Sequence, residues 1–256
     1  MMGEPEQLRQ AFAWWAFSMN DADPVALLSG AAALGLTGVE MLPPELYPVA
    51  RDVGLQLVSS TGHDIDAGFN DPANHLSLTA EVRDAIVHAR DEGINGVIVF
   101  SGRRVGFSDA EAVSHMVDAL TPLAAEAADS GVELWLELLN STVDHPGQQC
   151  DRSEFAFSVA RAVGSPGFKV LYDCYHMQLM EGNLLDTIKA NLPLIGHVHT
   201  GGAPGRHDLD DRQEINWRAV SGLLRRNGYT GWVGHEFVPR GDPLPSLANA
   251  RDLFLV

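Results

Sequence analysis

Cysteines and basic residues are scarce in this sequence. Two cysteines, Cys150 and Cys174, are too few for a disulfide-stabilised scaffold, and reduced thiols are the simpler interpretation. Only 17 Lys and Arg stand against 34 Asp and Glu, which gives a formal net charge of -17 at pH 7. This balance argues against nucleic acid and anionic membranes as partners, because both select for basic patches. A small neutral sugar, a hydroxy acid or a divalent cation remains compatible with it.

The sequence also lacks the pattern of a secretory signal or of a transmembrane segment. Its start, MMGEPEQLRQ, has no basic n-region, and the apolar run FAWWAF (12–17) is too short to span a bilayer. We therefore predict a cytoplasmic protein. No linker-like or low-complexity stretch interrupts the 256 residues, and this length suits one large domain. We predict a single domain over residues 1–256.

What is present is a repeated unit: a short apolar or β-branched run, a polar turn, and then a helical pattern. Eight such runs are predicted strands, at residues 12–18, 38–42, 55–61, 96–102, 133–139, 169–175, 195–201 and 232–238. Helical patterns lie between them, at residues 24–34, 78–92, 110–130, 153–163, 184–191 and 217–227.

Strands that alternate with helices pair in parallel through right-handed crossovers. Eight units in this length predict a (β/α)8 barrel, a fold of about 250 residues. A doubly wound sheet is the alternative, but such sheets usually carry a glycine-rich phosphate loop after the first strand. Here the first predicted strand is followed by MNDADP (19–24), which has no glycine. The barrel is therefore preferred, and its active site is expected at the carboxyl ends of the strands.

Four late strands end in residues that can bind a metal ion. They are Glu137 in ELWLELLN, Asp173 in KVLYDCYH, His199 in IGHVHTGG and Glu236 in WVGHEFVPR. Three carboxylates that converge at one end of a barrel would repel each other, and burying each alone is costly. A divalent cation removes this repulsion, and three carboxylates with one imidazole suit Mn²⁺, Mg²⁺, Co²⁺ or Zn²⁺.

Each of these residues also has a purely structural interpretation. Glu137 could cap the helix after its strand, and Asp173 could be the N-cap of the next segment. Glu236 could pair with Arg240. His197 and His199 share one strand face, and either could be a buried histidine bonded to backbone. Their joint occurrence at equivalent strand ends favours the metal site.

Several segments resemble the hydroxypyruvate isomerase branch of the xylose isomerase-like barrels, a superfamily that includes ketose 3-epimerases and inosose-processing enzymes. The resemblance is strongest between about Gly131 and Leu247. The segments that carry it are ELLNSTVDHPG, KVLYDCYHMQLMEGNL, LPLIGHVHTGGAPGRHD, QEINW and GYTGWVGHEFVPRGDPL.

The resemblance implies a site. Glu137, Asp173, His199 and Glu236 correspond to the metal ligands, although many hydroxypyruvate isomerases have Gln where His199 stands. Glu137 and Glu236 also correspond to the catalytic pair that moves a proton. The predicted substrate contacts are His176 and Arg206, which match substrate-binding positions, and His63 at the end of the third strand. His197 is expected to support the site, and a homodimer or tetramer is implied.

The function implied is that of a metal-dependent isomerase. It would interconvert an aldose and a ketose, or a similar hydroxy-carbonyl pair, through a cis-enediolate. Ketose epimerases and metal-dependent lyases or dehydratases begin with the same proton abstraction, so both stay open. The 3-epimerase alternative is weakened at Val143, where those enzymes carry a further Glu. A non-catalytic sugar-binding barrel ranks last, because Glu137 and Glu236 are both present.

Overall fold

The computed structural model describes residues 7–19 and 23–255. Its strands are β1 (Arg9–Ala13), β2 (Gly38–Glu40), β3 (Gln56–Leu57), β4 (Ser59–Thr61), β5 (Gly96–Val99), β6 (Glu133–Glu137), β7 (Phe168–Asp173), β8 (Ile195–Thr200) and β9 (Trp232–His235). The α-helices are α1 (Trp14–Phe17), α2 (Pro24–Ala33), α3 (Tyr47–Asp52), α4 (His75–Glu92), α5 (Asp109–Asp129), α6 (Ser153–Val163), α7 (Cys174–Met180), α8 (Leu184–Asn191), α9 (Trp217–Arg226) and α10 (Pro243–Leu253). Three 3-10 turns cover Pro44–Leu46, Pro72–Asn74 and Leu192–Leu194.

The strands form one sheet in the order β3-β2-β1-β9-β8-β7-β6-β5-β4. Pairing is parallel, for example between β1 and β2, where Ala13 lies opposite Glu40, and between β6 and β7, where Glu137 lies opposite Leu171. The predicted alternation of strands and helices is confirmed. One prediction is wrong: residues 55–61 form two short strands, β3 and β4, so the described residues contribute nine strands to the sheet and not eight.

Two predicted strands end early because the chain turns into a helix. β1 ends at Ala13, and the next residues form α1, whose last turn is closed by a hydrogen bond from Ser18 N to Trp14 O at 2.9 Å. β7 ends at Asp173, and the residues after it form α7. A short apolar run does not by itself separate strand from buried helix, which explains both errors.

Most predicted helices are present within a few residues of their expected ends. Asp23 caps α2 as the sequence indicates, because its Oδ1 accepts a hydrogen bond from Val25 N at 2.9 Å. Four of the described helices were not predicted: α1 and α7, which replace predicted strand residues, and α3 and α10, the last of which is capped by Asp242. None of the helices in residues 7–19 and 23–255 combines the length and apolar character needed to cross a membrane.

Backbone contacts divide the chain into two compact units. Unit 1 comprises residues 1–58, 183–192 and 198–256, of which the structure describes all but 1–6, 20–22 and 256. Its core includes Phe12, Phe17 and Phe237, whose rings pack edge to face with centroids 5.7 and 4.9 Å apart. The prediction of a single domain over residues 1–256 stays a prediction.

Unit 2 comprises residues 59–182 and 193–197. Its strands β5, β6 and β7 are almost entirely buried, as expected for a parallel sheet covered on both faces. Trp135 lies between two glycines in this sheet. A Cβ at Gly96 would approach the Trp135 ring to 2.5 Å, and a Cβ at Gly196 would approach Trp135 Nε1 to 2.7 Å. These glycines leave the space that the indole occupies.

Candidate active site

The four predicted metal ligands all lie at the carboxyl ends of strands. Glu137 and Asp173 are the last residues of β6 and β7, His199 is the penultimate residue of β8, and Glu236 directly follows β9. All four are buried, with at most 6% of each residue exposed. Each offers one carboxylate oxygen or imidazole nitrogen of the kind that binds metal ions, Glu137 and Asp173 in unit 2 and His199 and Glu236 in unit 1.

In unit 1, His199 lies between two carboxylates. Its Nδ1 is 3.0 Å from Glu236 Oε2, and its Nε2 is 3.1 Å from Glu40 Oε2. Glu40 is the last residue of β2 and is fully buried, as is His199. The alternative in which His199 bonds only to backbone is therefore wrong, because its ring nitrogens face side-chain carboxylates.

Glu236 is held by two further donors of unit 1. Trp15 Nε1 donates to Glu236 Oε1 at 2.8 Å, and the Arg206 guanidinium donates to Oε2. The same guanidinium lies over the Trp15 ring, 5.1 Å from its centroid. Burial by itself would raise the pKa of Glu236, but Arg206 and His199 outweigh burial and hold that pKa well below its usual range. Glu236 is therefore an ionised carboxylate at neutral pH.

The loop after β8 positions Arg206. Gly202 and His207 pair as an isolated antiparallel bridge, with Gly202 N donating to His207 O at 2.8 Å. Arg206, at the turn, has φ of 54°, in the left-handed region that few residues other than glycine adopt. Its carbonyl oxygen accepts from Val238 N at 2.8 Å. The predicted substrate-binding residue is thus fixed beside Glu236 by the backbone on both sides.

Arg240 does not pair with Glu236, so that structural alternative is wrong. Its Nη1 instead faces two acidic residues of the loop after β8, 3.8 Å from Asp208 and 3.6 Å from Asp210. The alternative in which Glu137 caps the next helix is also wrong, because α6 begins at Ser153 and its N-cap residue is Arg152.

In unit 2, Asp173 caps α7 while remaining a candidate ligand. Its Oδ1 accepts from His176 N at 2.9 Å, as the N-cap alternative predicted. Its Oδ2 lies 3.7 Å from His176 Nε2. A carboxylate has acceptor capacity on both oxygens, so the cap uses only part of what Asp173 offers.

His176, a predicted substrate contact, is fully buried and oriented by Asn140. The Asn140 Oδ1 accepts from the backbone N of Val143 and of Asp144, both at 2.9 Å. This fixes the amide orientation, so Asn140 Nδ2 donates to His176 Nδ1, at 2.6 Å. Because Nδ1 accepts, the proton of the neutral His176 ring is on Nε2.

His63, the third predicted substrate contact, uses both ring nitrogens on backbone. Phe100 N donates to His63 Nε2 at 3.1 Å, so the ring proton is on Nδ1, which donates to Asp64 O at 2.8 Å. Burial lowers the pKa of His63, which keeps the ring neutral. Both ring nitrogens of His63 are therefore already hydrogen-bonded to the backbone. A substrate contact by His63 stays a prediction.

His197 packs against an aromatic ring of unit 2. It is fully buried in unit 2 and stacks on Trp135, with ring centroids 4.6 Å apart and planes 5° from parallel. This stacking fits the supporting role expected for His197.

Two residues of the candidate site were missed by the sequence analysis. Glu40 ends the apolar strand β2, and the rule that selected Glu137 and Glu236, a carboxylate at the end of a strand, would have selected it too. The second is Trp15, which is 38% exposed and donates a hydrogen bond to Glu236. No sequence signal distinguishes Trp15 from Trp14.

The chain is similar to several known proteins. A family model described as xylose isomerase-like TIM barrel matches residues 28–254. A putative hydroxypyruvate isomerase of Homo sapiens is 28% identical over 254 residues, which cover 93% of this chain and 91% of that protein. A 2-oxo-tetronate isomerase of Cupriavidus necator is 30% identical over 170 residues, which cover 66% of this chain and 65% of that protein.

A solved structure supports the fold. The crystal structure of a family 2 AP endonuclease from Brucella melitensis aligns with a TM-score of 0.83 and 24% identity, over 94% of this chain and 97% of that one. At this identity the likeness shows the fold alone. Together with the family model, it confirms the predicted (β/α)8 class.

Proposed function

Since this chain belongs to the xylose isomerase-like TIM barrel family, we propose that it is a metal-dependent isomerase of a small α-hydroxycarbonyl compound. The observation that carries the proposal is Glu236, a buried carboxylate kept ionised by Arg206 and His199 at the end of a strand. A carboxylate in this state can bind a cation and accept a proton. The two relatives carry the names putative hydroxypyruvate isomerase and 2-oxo-tetronate isomerase.

The residues present fit a divalent cation. We assign Glu137, Asp173, His199 and Glu236 as its ligands, a set of three carboxylates and one imidazole that suits Mn²⁺, Mg²⁺, Co²⁺ or Zn²⁺. His199 fits this role well, because its Nε2 faces Glu40 and its Nδ1 faces the Glu236 carboxylate. When bound, the cation would polarise the substrate carbonyl as a Lewis acid and make the neighbouring C–H more acidic.

Glu137 and Glu236 are the proposed acid–base pair. One carboxylate removes the proton from the hydroxyl-bearing carbon next to the carbonyl, which gives an enediolate. The proton is then returned to the former carbonyl carbon, while the hydroxyl proton moves to the former carbonyl oxygen. Trp15 and Arg206 hold Glu236 at both oxygens, which fixes the direction of its lone pairs. Returning the proton to the opposite face of the same carbon would give an epimer instead. Loss of a leaving group from the enediolate would give a dehydrated product, which is the reaction of a dehydratase.

The proposed substrate is a short hydroxy-oxo acid. Hydroxypyruvate and 2-oxo-tetronate, after which the relatives are named, both carry a carboxylate. The Arg206 side chain is 14% exposed, and its guanidinium could bind such a group in a bidentate manner. His176, with its proton on Nε2, would donate to a substrate oxygen. The cytoplasmic location and the homo-oligomer stay predictions.

The test is proton NMR in D2O. One sample contains the Mg²⁺-loaded protein. Parallel samples are incubated with Mn²⁺- or Co²⁺-loaded protein, which is removed before the spectra are recorded because these ions are paramagnetic. Hydroxypyruvate, 2-oxo-tetronate, common ketoses and inososes are screened for loss of the α C–H signal. We expect exchange together with signals of an isomer for the short hydroxy-oxo acids. An epimer or an unsaturated product would replace the isomerase assignment, and no exchange with any substrate would refute the proposal.

Glu137→Gln tests the assigned residue. We expect it to lower the exchange rate at least about 100-fold, as loss of a general base does, while the fold is retained. The matched control is Glu133→Gln at the other end of β6, where the carboxylate accepts from Trp135 Nε1 at 2.7 Å. This control should exchange at a rate close to that of the wild type. Near-normal exchange in Glu137→Gln would remove Glu137 from the mechanism.

A further inference from the structure

Glu40 is a buried carboxylate to which the proposed mechanism gives no role. It ends β2, is fully buried, and its Oε2 lies 3.1 Å from Nε2 of His199, which is also fully buried. The two residues are 159 positions apart in the chain. A carboxylate so placed is costly unless a donor compensates it, and the imidazole N–H is a donor of the right geometry.

Each ring nitrogen of His199 faces a carboxylate, since Nδ1 is 3.0 Å from Glu236 Oε2 and Nε2 is 3.1 Å from Glu40 Oε2. Glu236 is a proposed ligand and Glu40 is not, so a cation bound beside Glu236 would take the lone pair of Nδ1. The proton of the neutral ring is then on Nε2, which donates to the Glu40 carboxylate. Histidines that bind metal ions commonly donate the other ring N–H to a carboxylate, which fixes the tautomer and the ring orientation.

We propose that Glu40 is a positioning residue for the cation: it holds His199 in the Nε2–H tautomer, so that Nδ1 is the ligand atom. This inference rests on the proposed function, because it assumes that His199 binds a cation. The proposal explains why a strand far from β8 in the sequence ends in a buried carboxylate.

The first experiment measures Mn²⁺ affinity by calorimetry on chelator-treated protein. We expect Glu40→Ala to bind Mn²⁺ about 10–100-fold more weakly than the wild type, the usual effect of removing such a partner. Glu40→Gln should lose less, because its amide oxygen still accepts from Nε2–H. The control is Gln10→Met, which removes the partner 3.0 Å from Nε2 of His235, a buried histidine that is not a proposed ligand. Its affinity should equal that of the wild type.

The second experiment separates positioning from a general effect of negative charge. Glu40→Ala is repeated in a His199→Ala background. If Glu40 acts through His199, the second substitution causes no further weakening of Mn²⁺ binding. If Glu40 acts only as a charge near the cation, Glu40→Ala weakens Mn²⁺ binding equally in both backgrounds, and Glu40→Gln weakens it as much as Glu40→Ala. Equal weakening in both backgrounds, or equal effects of the two Glu40 substitutions, would overturn the proposal.

The third experiment needs no variant of Glu40, so it decides the question even if Glu40→Ala does not fold. Long-range ¹H–¹⁵N spectra of histidine-labelled wild type with Zn²⁺ report the protonated nitrogen, and His199→Gln assigns the signal. A proton on Nε2 is expected, and a proton on Nδ1 would refute the proposal. If the wild type binds no divalent cation, the proposed function fails. If it binds one and Glu40→Ala binds equally well, only this inference fails.

Discussion

Replacing Arg206 by Met tests how the buried Glu236 carboxylate is kept ionised. The pair is well shielded, with side-chain exposures of 14% for Arg206 and 5% for Glu236. Removing one partner of a buried ion pair costs about 3–5 kcal/mol when the other charge is left uncompensated. Here His199 Nδ1 at 3.0 Å and Trp15 Nε1 at 2.8 Å still face Glu236. We therefore expect a loss of about 2–3 kcal/mol, below that range, because part of the compensation remains.

The assay is urea unfolding followed by far-UV circular dichroism, in chelator at pH 7, and the control is Arg240→Met. Arg240 is 35% exposed and pairs with Asp208 and Asp210 at 3.8 and 3.6 Å. A pair of this kind contributes about 0–1 kcal/mol. Equal losses for Arg206→Met and Arg240→Met would refute the argument, because they would show that burial gives the Arg206 pair no extra weight.

The pH dependence follows from the pKa of Glu236. In the wild type that pKa is held well below the ordinary value of 4.5, so its contribution to stability is fully present above pH 4.5 and is lost as pH falls through the lowered pKa. Without Arg206 the pKa of Glu236 rises. The stability difference between the wild type and Arg206→Met is therefore constant near pH 7 and shrinks as the solution becomes acidic. A difference that grows below pH 4.5 would contradict the assigned cause.

Two further predictions concern buried histidines. Asn140→Asp replaces the donor at His176 Nδ1 by an acceptor and should move the ring proton from Nε2 to Nδ1. We expect a roughly tenfold higher KM, equivalent to one lost hydrogen bond to the substrate. The ¹⁵N signals of His176 should change to those of the other tautomer. Burial lowers the pKa of His235 to about 3 in the folded protein. As pH falls from 6.5 towards that value, the histidine of the unfolded chain binds a proton and the buried one does not, so the folded state loses stability. Between pH 6.5 and 4.5, His235→Gln should lose about 2–3 kcal/mol less than the wild type in urea unfolding. Parallel stability curves would contradict this.

Much of the fold follows from local sequence patterns. Asp23 before Pro24 and the capping box of Ser108 with Glu111 start helices where such residues are expected, and Gly93 ends α4 in a left-handed conformation. The alternation of apolar strands with these helices is enough to predict parallel pairing. The errors lie where an apolar run continues across a boundary, as at Ala13 and Asp173, because hydrophobicity does not change there while the backbone does.

The candidate ligands could also be found from the sequence, because a carboxylate at the end of an apolar strand is unusual by itself. Glu137, Asp173 and Glu236 all satisfy this description, and so does Glu40, which was overlooked. Trp15 could not have been found, since its hydrogen bond to Glu236 depends on a helical turn at the end of β1 and joins residues 221 positions apart. An aromatic residue in an apolar run carries no mark of such a contact.

The sequence is enough to show that metal-binding side chains lie near the ends of the later strands. Which atoms of those side chains face each other depends on the three-dimensional arrangement. The Nε2 of His199 faces Glu40, its Nδ1 faces Glu236, and Asn140 presents its amide N–H to His176. The reason is physical. A strand end is set by neighbouring residues, whereas the proton position on a histidine is set by partners that strand register and loop conformation bring together from distant parts of the chain.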